Sequence, residues 1–120
     1  LRSLVGSDMC IRDRYMRGHA EDDSAHMRAA FMPTARIESV REGPLTSWDI
    51  DTYCARFKGQ PAADEATRRR SIDAIDIGGT AASAKITLVH GAITFIDYFV
   101  LLKTEAGWKI ANKAFHAQPH

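Results

Sequence analysis

The stretch Phe95-Ile-Asp-Tyr-Phe-Val-Leu-Leu-Lys103, followed by Thr104-Glu-Ala-Gly107 and Trp108-Lys-Ile-Ala-Asn-Lys-Ala-Phe-His116, decides the fold. Aromatic and β-branched residues dominate it, which favours extended backbone. It reads as two long strands joined by a tight turn at Gly107. Side chains alternate across a strand, so Trp108, Ile110, Asn112 and His116 are expected on one face, and Lys109, Lys113 and Phe115 on the other. The same alternation puts Asp97 opposite Tyr98, so only one of that pair can face the interior.

Working back from this hairpin, Gly91 marks a turn or bulge before it, and Ala81 to His90, rich in Ile, Leu, Val and Thr, reads as another strand. Gly78-Gly79 supplies a hairpin turn after a strand from Arg69 to Ile77. Gln60 to Thr67 is a polar loop. Ile50, Tyr53, Cys54 and Phe57 fall at i, i+3, i+4 and i+7, the stripe of a core-facing helix. Thr46 or Ser47 is expected to cap it, with Asp49 and Asp51 in its first turn. Arg41-Glu-Gly-Pro-Leu45 is a loop, and Thr34 to Val40 alternates as a strand. Pro33 stops a preceding helix capped by Asp22 or Asp23, on which Met27 and Phe31 share a face. Arg14 to Ala20 reads as the last turns of another helix, closed by Gly18. Helices gathered on one side of a four-stranded meander define an α+β class with an antiparallel sheet.

Length and composition bound the function. The 120 residues suffice for one domain. A net charge of +1 supplies no field for nucleic acid or an anionic membrane surface. No apolar run approaches the roughly 20 residues that span a bilayer. Two cysteines, Cys10 and Cys54, form neither a metal-binding spacing nor a disulfide framework, and the expectation is free thiols in the cytoplasm. Residues 1–14, containing Ser3-Leu-Val-Gly-Ser-Asp-Met-Cys-Ile-Arg-Asp-Arg14, resemble a translated sequencing-adapter read-through. They are expected to be foreign to the native chain, leaving a domain over 15–118. Without them Arg2, Arg12, Arg14, Asp8 and Asp13 go, and the net charge falls from +1 to zero.

Phe95-Ile-Asp-Tyr-Phe99 and Trp108-Lys-Ile-Ala-Asn-Lys-Ala-Phe-His116, with Ala29-Ala-Phe-Met-Pro-Thr-Ala35, resemble the putative lumazine-binding family of the nuclear transport factor 2-like superfamily. The final motif is the specific one. The junction departs at Met32, where a His is usual. The resemblance implies a curved antiparallel sheet wrapped around N-terminal helices as a cystatin-like cone, a pocket at the open end, and a homodimer formed through the outer sheet face. The superfamily holds isomerases, dehydratases and non-catalytic binders, so the fold alone chooses no chemistry.

Among polar residues, Asp97 lies mid-strand between large apolar neighbours, where a carboxylate suits general acid–base work; otherwise it is structural, paired with Lys103, Lys113 or a backbone donor. His116 ends the last strand and can carry a proton if it reaches the pocket; otherwise it is a surface histidine. Asp97 and His116 are thus the candidate catalytic residues. Tyr53, Trp48, Asn112, Trp108 and Phe31 are the candidate ligand-binding residues: Asn112 and Tyr53 as hydrogen-bond donors, the others as apolar walls. His19, His26 and His90 lack ligand spacing, so no metal site is expected, and no motif for a nucleotide or other cofactor is present. Arg68-Arg69-Arg70 reads as a solvated strand start opposite Asp64 and Glu65. These features favour a pocket for a small hydrophobic or aromatic ligand. The alternatives are a cofactor-independent isomerase or dehydratase of the ketosteroid isomerase type using Asp97 or His116, and a module that docks protein on its outer sheet face.

Overall fold

The computed structural model describes residues 11–120. Most of the segment expected to be foreign, residues 1–10, lies outside them; 11–14 belong to a π-helical turn, Ile11–Met16, which delivers Tyr15 to the core. Helix α1 (Arg17–Glu21) follows directly. Gly18 does not close it. Asp22 does, in the left-handed region at φ 55°, with its N–H on the Gly18 carbonyl. Gly18 is instead buried against α2 (Ser24–Ala30), where a Cβ would meet the Met27 backbone nitrogen at 3.0 Å. Asp23 caps α2 by accepting from the N–H groups of Ala25 and His26.

Strand β1 (Phe31–Val40) begins immediately, so Phe31 is a strand residue and not the last turn of a helix. Thr46 and Ser47 are not caps either. Leu45–Asp49 forms a short strand, β2, paired antiparallel with β1 through Ile37 and Trp48. Asp49 caps α3 (Ile50–Cys54) by accepting from Thr52 N–H. The remaining strands are β3 (Arg69–Gly78), β4 (Ala81–His90), β5 (Ile93–Thr104) and β6 (Gly107–Pro119).

The six strands form one sheet in the order β2-β1-β6-β5-β4-β3. The sheet is mixed rather than wholly antiparallel, because β1 runs parallel to β6. Its inner face packs Ile86, Leu88, Phe99, Leu101, Trp108 and Ile110 against Tyr15, Met27, Ile50, Tyr53 and Cys54 of the helical side. The result is a curved α+β cone.

One irregularity decides the site. Val100 pairs with Asn112, but Leu101 pairs with Ile110, which leaves Ala111 as an extra residue on β6. Such a bulge puts two residues opposite one and shifts the inward parity of the strand beyond it. Trp108 and Ile110 point inward before it; Lys113 and Phe115 point inward after it. The faces expected for Asn112, Lys113, Phe115 and His116 are therefore exchanged.

Candidate functional site

Asp97 faces the interior and is 1% exposed, whereas its neighbour Tyr98 is 52% exposed on the outer face. Across the strand pair the bulge brings Lys113 inward beside it, with Nζ 3.5 Å from Asp97 Oδ2. Tyr15 donates its hydroxyl to the same oxygen at 2.5 Å. Lys113 donates to the hydroxyls of Tyr15 at 2.8 Å and Tyr53 at 3.1 Å. Its ammonium also lies within about 5 Å of the Tyr15, Tyr53 and Phe115 rings. Four residues far apart in sequence thus form one buried polar cluster.

The electrostatics follow from burial and neighbours. Burial holds the Tyr15 hydroxyl well above its ordinary range, and the Asp97 charge pushes it in the same direction, so Tyr15 is a fixed donor. Burial alone disfavours a charged Lys113, but the Asp97 charge and the Tyr53 hydroxyl outweigh it, and its affinity for a proton is raised. The pair is an ammonium and a carboxylate with one oxygen occupied. The other, Asp97 Oδ1, is buried without a hydrogen-bond partner.

Asp97 is part of the wall of a cavity of about 260 Å³. Asp97, Lys113 and Tyr53 line its inner end; Leu88, Phe57, Phe95 and Phe115 make apolar walls; Trp48, Arg41 and Arg56 stand toward the mouth. Trp48 is near-parallel to Tyr53, with centroids 6.3 Å apart, and the Arg56 guanidinium lies 4.5 Å from the Trp48 centroid. Two histidines join the lining, His19 from α1 and His90 from the end of β4, with ring centroids 5.2 Å apart. Each has a buried nitrogen without a partner, Nδ1 of His19 and Nε2 of His90. Burial, then the positive charge of Lys113, lowers the basicity of His19. Burial and the Arg68 and Arg70 guanidiniums lower His90 to a pKa of about 4. Both rings are neutral at pH 7.

The sequence-based candidates separate on this geometry. Asp97, Tyr53 and Trp48 line one cavity. His116 does not: it lies exposed beyond the bulge, with Nε2 3.0 Å from Gln118 Oε1. Asn112 pairs with Val100 on the outer face. Phe31 is buried core, edge-on to Tyr15 and Tyr53 behind the lining. Trp108 is buried nearer the β5–β6 turn and is not part of the wall. Residues passed over as functional, Tyr15, Lys113, His19 and His90, do most of the polar work. Arg68 and Arg70 are held by Asp64 and Glu65 respectively.

A larger hollow, about 410 Å³, lies on the outer side around Ala81, Ser83, Val100 and Leu102, but its only ionisable lining residue is Asp76. Glu21, Asp23 and His26 gather at the surface, where Asp23 already serves as a helix cap. Cys54 is buried, and burial raises its thiol, which makes it a poor nucleophile. Among the described residues no helix is long and apolar enough to cross a membrane.

A conical α+β sheet with a polar cluster inside its open end defines a nuclear transport factor 2-like domain. The chain belongs to the putative lumazine-binding family, whose pattern it matches over residues 10–116. Among solved structures it is similar to a nuclear transport factor 2-like protein of unknown function from Shewanella baltica OS155. That similarity has 30% identity and a TM-score of 0.87, and covers 99% of this chain and 96% of the other. A counterpart from Methylobacillus flagellatus KT, also of unknown function, gives 30% identity and a TM-score of 0.81 over 98% and 94%. A protein from Silicibacter pomeroyi DSS-3 shares the fold at 18% identity, with a TM-score of 0.81 over 95% of each chain. No curated protein matches the chain.

Proposed function

We propose that this protein is a small-molecule-binding domain whose ligand enters the open end of the cone and lies against Tyr53, Trp48 and Asp97. The observation that carries this reading is Asp97, a residue of the cavity wall whose Oδ1 is a buried acceptor with no protein partner. Leaving such an atom unsatisfied costs about 1–3 kcal/mol or more, which a ligand donor would recover. The cavity volume of about 260 Å³ lies just under the range of roughly 300–1,000 Å³ typical of drug-sized ligands, so a compact one- or two-ring molecule fits. The family's name supports the same reading. Native mass spectrometry of protein purified without added ligand tests it. A retained small molecule that is lost in Asp97→Leu supports binding; a species retained equally by Asp97→Leu refutes the assignment to this cavity.

A second reading, proton transfer next to a carbonyl, is favoured by a carboxylate with one free oxygen that shares the Lys113 ammonium with the Tyr53 hydroxyl on one cavity wall. Asp97 would take a proton from one carbon of an enone precursor and return it to another, with Tyr53 holding the carbonyl oxygen. Conversion of 3-cyclohexenone to its conjugated isomer, abolished in Asp97→Asn, would support it; a rate equal to that of buffer would remove it. For assembly we propose a homodimer through the outer face of β5, where Tyr98, Val100 and Leu102 are exposed in alternation.

A further inference from the structure

The two ends of the cavity ask for different chemistry. At the inner end no cation is free. Lys113 directs its N–H groups to Tyr15 and Tyr53 and lies against Asp97 Oδ2. The unpartnered Asp97 Oδ1 repels an anion and accepts from a donor. Tyr53 accepts from Lys113, which leaves its own proton for a ligand oxygen.

At the mouth the charge is reversed. Arg17, Arg28, Arg68 and Arg70 are each paired with an acid. Arg41 and Arg56, which line the cavity, have no acidic partner among the described residues. Asp22, the other acid in the lining, already accepts from the backbone N–H groups of Lys58 and Gln60. Arg56 is held over the Trp48 ring rather than pointing freely into solvent. The remaining walls carry the aromatic rings of Phe57, Phe95 and Phe115, the last two tilted against each other at 6.1 Å, and such walls favour an aromatic ligand.

We infer that the ligand is a flat aromatic acid with unlike ends: an O–H or N–H donor directed at Asp97, and an anionic group at the mouth met by Arg41 and Arg56. The inference rests on the binding reading above and adds the ligand's polarity and orientation. Neutral His19 and His90, each with one N–H and one lone pair and with ring centroids 5.2 Å apart, can take a further polar substituent of the ligand.

Three matched probes test it by isothermal titration at pH 7: 6-hydroxy-2-naphthoate, its 6-methoxy ether, and 6-hydroxy-2-naphthamide. The hydroxy acid should bind most tightly. Removing the donor or the charge should each weaken binding about tenfold or more, as expected for charge-assisted hydrogen bonds. The Arg41→Ala/Arg56→Ala variant should bring the acid to the affinity of the amide, while Asp97→Leu should erase the hydroxy–methoxy difference. An amide that binds as tightly as the acid, or a difference that survives the double arginine variant, overturns the inference while leaving the cavity a binding site. Binding of none of the three overturns the cavity reading with it.

Discussion

Replacing Lys113 with Met removes the only cation in contact with Asp97 among the described residues and keeps most of the side-chain volume. The two groups are 4% and 1% exposed, so little water reaches them to take the ammonium's place. Breaking a buried pair from one side typically costs about 3–5 kcal/mol, because a charge is left uncompensated. Tyr15 would still donate to Asp97 Oδ2, so the lower end, about 3 kcal/mol, is expected. That is roughly a hundredfold in the folding equilibrium and a large part of a single domain's stability. Asp97→Asn should cost a similar amount by stranding the ammonium among phenols. The double variant leaves no buried charge and should recover most of the loss, giving a coupling of about 3 kcal/mol or more. Guanidinium denaturation followed by the fluorescence of Trp48 and Trp108 measures all four corners of the cycle. Single-variant costs below about 1 kcal/mol, or a double variant equal to the sum of the singles, would refute the buried pair as the organiser of this site.

The histidines set an acid limit. Both have lower proton affinity in the folded state than the ordinary 6.5, with His90 at about 4. The unfolded chain therefore binds more protons below pH 6.5, and stability should be full above that pH and fall as it drops toward 4. Urea midpoints at pH 7 and pH 5 should show the fall, and His19→Gln/His90→Gln should flatten it; an unchanged slope would place its origin elsewhere. At the outer face, Tyr98→Lys/Val100→Lys should convert a dimer to a monomer in sedimentation velocity without lowering the melting temperature of the isolated subunit. A wild-type monomer at high micromolar concentration counts against that interface.

Much of the fold was legible because the strands obey simple alternation. Phe95, Asp97, Phe99 and Leu101 share the inner side of β5, and Tyr98, Val100 and Leu102 the outer, as period-two geometry requires. The short strand β2 was not legible. Leu45-Thr-Ser-Trp-Asp49 carries polar residues that also suit a helix start, and its extended state depends on pairing with β1. Tyr15 was hidden for a related reason: its partners are 82 and 98 residues away, and no local pattern reports them.

The site turned on β6, and there the sequence did carry a signal. Trp108 and Ile110 are large apolar residues at even positions, while Phe115 is one at an odd position, so no unbroken strand can bury all three. The economical resolution is one extra residue between Ile110 and Phe115, and the bulge falls at Ala111, where a small side chain tolerates the loss of pairing. Read this way, the strand turns Lys113 inward and sends Asn112 and His116 out. It also explains how Asp97 can be buried: one residue's change of register on a neighbouring strand brings the ammonium that the carboxylate requires. Fold and site are thus coupled at Ala111. An unbulged β6 that kept Ala111 in the ladder would strand Asp97 without its cation while exposing Phe115, two costs from one loss, which makes the bulge part of the binding machinery rather than a flaw in the sheet.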